Sequence, residues 1–172
     1  MTKAVTADAV IHQGKPILHI LCGKIASGKS TLSSSLASSP ITVVISEDQW
    51  LFLCYGDEMN TIEDYVRCSA KLKNAMKLHV ISLLKAGVSV VLDFPANTVA
   101  NRKWMMSIIN ESCADHILHY LNVSTEICKS RLQVRNQSAA SHFVVTDEQF
   151  ELISQYFTEP EPEEGFNIIQ YN

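Results

Sequence analysis

Gly23, Gly28, Lys29 and Ser30 fall in the pattern Gly-x-x-x-x-Gly-Lys-Ser, and the apolar run Ile17-Leu18-His19-Ile20-Leu21-Cys22 leads straight into it. That spacing suits one chemistry, the gripping of phosphate oxygens. Glycines allow a tight turn in which successive backbone N–H groups point inward as a nest. A helix beginning at Lys29 adds the positive end of its dipole. The Lys29 ammonium then reaches the β- and γ-phosphates, and the Ser30 hydroxyl ligates Mg²⁺. The competing reading is a glycine turn that matches by accident. Context argues against it, since a strand precedes the motif and a helix, Lys29 to Leu36, follows. The sequence predicts a nucleoside triphosphate site.

Two carboxylates extend that chemistry. Asp93 closes the apolar run Val90-Val91-Leu92, the pattern of a Walker B acid that supports Mg²⁺ directly or through water. Its bland alternative is a strand-end Asp capping the next turn. Asp48, in Ser46-Glu47-Asp48-Gln49, lies just past a second apolar run and would face the γ-phosphate, where a general base can take a proton from an acceptor hydroxyl. A helix N-cap or a solvated acidic turn competes with that role, and Glu47 is a rival for it.

Arginine is confined to Arg67, Arg102, Arg131 and Arg135. Arg131 and Arg135, four apart, share one helix face just before the polar stretch 136–142. Lid segments deliver such guanidinium forks to a transferring phosphoryl group. The alternative is a solvated basic face, with Arg131 paired to Glu126 or Glu163. Arg102 stands where a helix leaves the ligand edge and could hold an acceptor; Asn97 and Arg67 are further candidates for that role. Lys24 reads as a solvated loop residue. His116 and His119, three apart in a strand, point to opposite faces and make a poor metal pair. His19 reads as buried. Trp50, Phe52 and Tyr55 are either an apolar wall for an acceptor or core.

These residues need a scaffold that brings them to one edge. Ile41-Thr42-Val43-Val44-Ile45 reads as a buried strand after Pro40, and Val88 to Asp93 as a third. Thr61, with Asp64 three on, opens a long amphipathic helix that ends at Gly87, a C′ residue. Further helices are predicted over about 98–112 and from Ser124 or Thr125 to about Arg135. The Thr146/Gln149 capping box opens a last one. Ile117 to Val123 makes the fourth strand and Phe166 to Gln170 an edge strand. Glu159-Pro160-Glu161-Pro162-Glu163-Glu164-Gly165 reads as an exposed, extended connector. Apolar strands alternating with helices imply an α/β fold, a parallel sheet covered on both faces that binds ligands beyond its carboxyl ends.

The chain of 172 residues is 47% apolar, enough for one domain with a substantial core. A net charge of −4 and no basic cluster argue against nucleic-acid binding. No apolar stretch approaches a membrane span, and Met1 to Gln13 lacks a signal architecture. Five cysteines without a Cys-x-x-Cys pair read as buried thiols in a reducing cytoplasm.

The loop at 23–30, Asp48, Asp93 with Asn97 and Arg102, and Arg131-Leu132-Gln133-Val134-Arg135 together resemble the small P-loop kinases. These are the kinases related to zeta toxin, chloramphenicol phosphotransferase and the kinase half of polynucleotide kinase, often filed as AAA-type ATP-binding proteins. The resemblance spans roughly residues 16–157. It implies a three-layer P-loop NTPase fold with a five-stranded parallel sheet of order 2-3-1-4-5. Residues 1–15 would form an arm, 16–172 one kinase domain, and about 131–145 a small lid. It also implies transfer of the γ-phosphoryl of ATP to a hydroxyl of a small-molecule acceptor. Gly23, Ala26, Ser27, Gly28, Lys29, Ser30 and Thr31 match the nucleotide loop, Asp48 the base, and Arg131 and Arg135 the lid arginines. No acceptor-recognition motif of any one member is present, so the acceptor does not carry over. Three readings follow: an ATP- and Mg²⁺-dependent kinase, a nucleotide-dependent switch or slow ATPase acting through a protein partner, and a toxin that phosphorylates an essential metabolite. A GTPase fits less well, as no Asn-Lys-x-Asp segment occurs.

Overall fold

The computed structural model describes residues 14–137 and 145–172. Chain order is β1 (Ile17–Cys22), α1 (Lys29–Leu36), β2 (Thr42–Ser46), α2 (Glu47–Tyr55), α3 (Ile62–Lys85), β3 (Ser89–Asp93), α4 (Val99–Ser112), β4 (Asp115–Leu121), α5 (Thr125–Gln137), α6 (Asp147–Ser154) and β5 (Ile168–Tyr171). The five strands form one sheet in the order β2-β3-β1-β4-β5, every pair parallel. Parallel strands end at a common rim, so Cys22, Ser46, Asp93 and Leu121 all stop on the side from which the phosphate loop departs. The strand alternation and helix periods thus yield the expected P-loop architecture.

α3 shows how local sequence sets an element. Thr61 accepts from the Asp64 amide, and the Asp64 carboxylate accepts in return from the Thr61 amide, a full capping box. At the other end the Gly87 amide donates to Leu84 and the Val88 amide to Leu83, a Schellman closure that Gly87 permits with φ +84°. Between them Leu72, Met76, Val80 and Leu84 form one stripe, packed with Met105 and Ile108 of α4 against Leu18, Ile20 and Val90 of the sheet. Each such side chain contributes roughly 1.5–3 kcal/mol of burial. A smaller cluster, Cys128, Leu132 and Phe150, fastens α5 to α6 and packs on Ile25 and Ala26 of the loop.

Four local expectations are corrected. β2 is an edge strand, and Val43 remains 40% exposed where continuous β-branching implied burial. The acidic turn after it is the start of helix α2, on which Phe52 is 74% exposed, so Trp50 and Phe52 are not core. Cys54 and Cys113 are exposed; only Cys22, Cys68 and Cys128 are buried thiols. The Glu/Pro connector is not a purely extended solvated tether: Pro162–Glu164 turns as a 3-10 helix and Glu164 pairs inward with Arg102.

Candidate active site

The loop after β1 closes on itself around Gly23. Its N–H donates to Asn97 Oδ1 at 3.0 Å and its carbonyl accepts from Lys29 Nζ at 2.7 Å. A β-carbon at residue 23 would lie 2.7 Å from Ser27 Oγ and 3.0 Å from the Leu121 carbonyl, so the turn requires glycine. Gly28, at φ +109°, is the N-cap of α1. Helices α3, α4 and α6 each open on a threonine hydroxyl that accepts a first-turn amide. α1, like α2, has no such cap, so no side chain occupies its first-turn amides. The Ser27 hydroxyl is buried without a hydrogen-bond partner. A phosphate tail supplies acceptors for both, so these residues fit a polyphosphate.

Charge converges at the same rim. Lys29 Nζ lies across the loop, donating to Gly23 and Lys24 carbonyls at 2.7 Å. Burial lowers the Lys29 pKa, and the charge of Asp93 is the strongest influence opposing that. Burial raises the Asp93 carboxyl, the neighbouring Asp48 charge raises it further, and Lys29 pulls it back. Asp93 sits opposite Ser46 in the β2–β3 register, and Asp48 follows two residues on. Ser30 and Asp93 are hard oxygen donors of the kind Mg²⁺ takes. Among the described residues no group of three or more His, Cys, Asp or Glu could hold a metal alone.

Of the two rival carboxylates, Glu47 is 1% exposed and accepts from Ser69 Oγ at 2.6 Å and Tyr65 OH at 3.4 Å. Burial pushes its carboxyl up. Asp48, next on α2, is exposed to the rim. Only Asp48 is open to a ligand.

Arg131 Nη1 donates to the Ser27 carbonyl at 3.1 Å, which ties α5 to the phosphate loop, and it pairs with neither Glu126 nor Glu163. Arg135 lies one turn further on, exposed. Of the expected lid, 131–137 belong to α5, and 138–144 lie outside the described residues. Lys24 is not simply solvated: Nζ donates to Thr125 Oγ1 at 2.8 Å.

Arg102 is corrected outright. It is 0% exposed, and its guanidinium is spent on Glu164 at 2.7 and 2.8 Å and on the carbonyls of Ala96, Thr158 and Glu159. It anchors the C-terminal connector and has no donor left for an acceptor. Asn97 steadies Gly23, and its own carbonyl accepts from Thr158. Arg67 pairs with Asp64 at 2.9 Å within one turn of α3.

Two groupings escaped sequence reasoning. Tyr65, Ser69 and Lys73 form a polar line on α3 at spacings of four, and with Val66, Ala70, Pro95 and Asn101 they line a cavity at the carboxyl rim. The spacing itself was the available signal. Across the sheet His19 Nδ1 meets His119 Nε2 at 3.0 Å, and His119 Nδ1 meets Tyr171 OH at 2.8 Å. No local pattern pairs residues 100 positions apart. His116 takes no part in this pairing; its Nε2 accepts from the Asn167 amide at 3.2 Å.

Sheet order, loop and rim carboxylates define a P-loop protein of the kinase-like class. The AAA domain family model matches residues 18–160, and the chain belongs to that family. A search of curated proteins finds no match. Among solved structures, a presumed kinase from Chloroflexus aurantiacus superposes with TM-score 0.71 at 20% identity, covering 93% of this chain and 86% of that one. A sugar kinase from Janibacter sp. gives TM-score 0.62 at 14% identity, with 91% and 84% covered. The Mycobacterium tuberculosis APS kinase CysC, solved with AMPPNP and APS, gives TM-score 0.60 at 14% identity, with 92% and 90% covered. At these identities the likeness is one of fold. Among the described residues, no helix is long and apolar enough to cross a membrane.

Proposed function

We propose that the protein is an ATP- and Mg²⁺-dependent kinase that phosphorylates a hydroxyl of a small-molecule acceptor. Residues 16–172 act as one catalytic domain with a lid at about 131–145; residues 1–13 of the expected arm and 138–144 of the lid lie outside the described residues. The carrying observation is the exposed Asp48 at the rim where Lys29 and Asp93 feel its charge, beside the uncapped N-terminus of α1. The amides of 26–31 and Lys29 hold the β- and γ-phosphates. Ser30 and Asp93 would hold Mg²⁺, which neutralises phosphate charge when bound. Asp48 accepts the proton of the acceptor hydroxyl as its oxygen bonds to the γ-phosphorus. The bond from that phosphorus to the β–γ bridging oxygen breaks, and ADP leaves. Arg131 and Arg135 neutralise the transferring group, a role whose loss can cost 10³–10⁵ in rate. Fully free cysteines suit a reducing cytoplasm.

The test is transfer from labelled ATP to a panel of metabolites. Lys29→Ala should lose nucleotide-dependent turnover. Asp48→Asn should keep Mg·ATP binding and lose transfer by about 10²–10⁴-fold. Normal transfer by Asp48→Asn would remove Asp48 as the base.

A further inference from the structure

The cavity between α3 and the β3–α4 junction has a directional chemistry. Tyr65, Ser69 and Lys73 follow one another along a single face of α3, with Pro95 and Asn101 opposite. At one end, the Tyr65 and Ser69 hydroxyls donate to Glu47, the residue just before Asp48. At the other end stands the Lys73 ammonium. Its hydrogen-bond partner is a neutral one, Asn101 Oδ1 at 2.9 Å, and the Trp104 ring lies 6.0 Å away. Among the described residues Lys73 has no ion pair; Glu47, on which its charge acts, is already bonded to two hydroxyls. An ammonium carries three donors, and the Asn101 bond uses one of them, which leaves two for an incoming anion. The cavity therefore presents a base-side end and a cation-side end.

We propose that this cavity is the acceptor subsite and that Lys73 selects acceptors bearing an oxyanion, a phosphate or a carboxylate. The selected anion lies one to two helical turns, about 6–12 Å, from the hydroxyl that is phosphorylated. The spacing follows from Ser69 and Tyr65, which precede Lys73 by one and two turns. Short two- or three-carbon hydroxy acids do not span it, whereas sugar phosphates and sugar acids do. This inference rests on the kinase reading above for the hydroxyl end alone; the anion end stands on Lys73.

Matched acceptor pairs test it: ribose against ribose 5-phosphate, and glucose against gluconate, with Mg·ATP. A charged hydrogen bond of about 1.5–3 kcal/mol predicts kcat/KM roughly ten- to a hundredfold higher for the anionic member of at least one pair, read mainly in KM. The two pairs separate phosphate from carboxylate. Lys73→Met keeps the unbranched stem and should erase the preference, with its unfolding midpoint as the check on folding. Equal use of neutral and anionic members, or a preference that survives Lys73→Met, overturns the proposal. A second readout needs no transfer. With Trp50→Phe leaving Trp104 as the only tryptophan, and AMPPNP filling the loop, ribose 5-phosphate or gluconate should change Trp104 fluorescence saturably, and not in Lys73→Met. That result without any transfer keeps the anion subsite and sinks the kinase reading alone. No transfer together with no saturable change from either anion overturns the subsite.

Discussion

Asn97 Oδ1 accepts the Gly23 amide at 3.0 Å, so a residue just past β3 fixes the first glycine of the loop that follows β1. The same residue's carbonyl accepts the Thr158 amide, beyond α6. One side chain therefore braces the phosphate loop, and one backbone group ties it to the end of the chain's last helical layer. Lys29 grips Gly23 from its other side, which leaves that residue no freedom to drift.

Removing the brace should show in nucleotide affinity. Asn97→Ala leaves the buried Gly23 amide without its acceptor, a loss of about 1–3 kcal/mol. Mg·ATP should bind about tenfold or more weakly by titration calorimetry. Asn97→Asp can still accept the amide but adds negative charge beside the phosphates. Its unfolding midpoint should stay near wild type while Mg·ATP affinity falls. Equal affinities for wild type and Asn97→Ala would end the bracing role.

Arg102 and Glu164 make a second structural joint, 62 residues apart in sequence. Removing one partner of a buried pair costs about 3–5 kcal/mol, since the other charge and three carbonyls lose their donors. Arg102→Ala should lower the urea midpoint accordingly. Arg102→Lys should recover little, because an ammonium cannot fork across both carboxylate oxygens. A variant that keeps its midpoint but loses acceptor affinity would return Arg102 to the substrate.

That joint marks where sequence reading ends. The loop, the α3 capping box, the sheet and the rim position of Asp48 and Asp93 all follow from residues close in sequence, and those were legible. Arg102 read as a residue that could hold an acceptor, because its partner lies beyond two further helices. α2 lacked a period: Trp50, Phe52 and Leu53 run together and all face solvent to some degree, so no amphipathic signal announced a helix. β2 reads locally like a central strand, yet burial depends on its place in the sheet, which no window of residues encodes. That Glu47 and not Asp48 is buried follows from Ser69, which the fold brings to Glu47 from α3.

The histidine pair predicts an acid-sensitive fold. His119 is 2% exposed, and burial, with the His19 charge adding to it, holds its imidazole down to about 4. His19 is lowered by burial as well. The unfolded chain takes up these protons near pH 6.5 and the folded chain does not, so the fold loses stability as pH falls from about 6.5 toward 4. For His119 alone the slope is about 1.4 kcal/mol per pH unit. His119→Gln should flatten that limb in denaturant melts at pH 4.5 to 7. An unchanged slope would mean that carboxylates alone set the acid limb.

Ser27 sets stability and binding against each other. Its hydroxyl is buried with no partner, which costs the folded protein without nucleotide about 1–3 kcal/mol of lost solvation. Ser27→Ala should therefore unfold at an equal or higher denaturant midpoint in the absence of nucleotide. If the hydroxyl is held for a phosphate oxygen, the same variant should gain less stabilisation from Mg·ATP than wild type, with the two melting curves converging as nucleotide rises. A structural serine would give the reverse pattern, a lower midpoint and an unchanged nucleotide shift. Ser27 would then be a structural residue with no part in holding the phosphate.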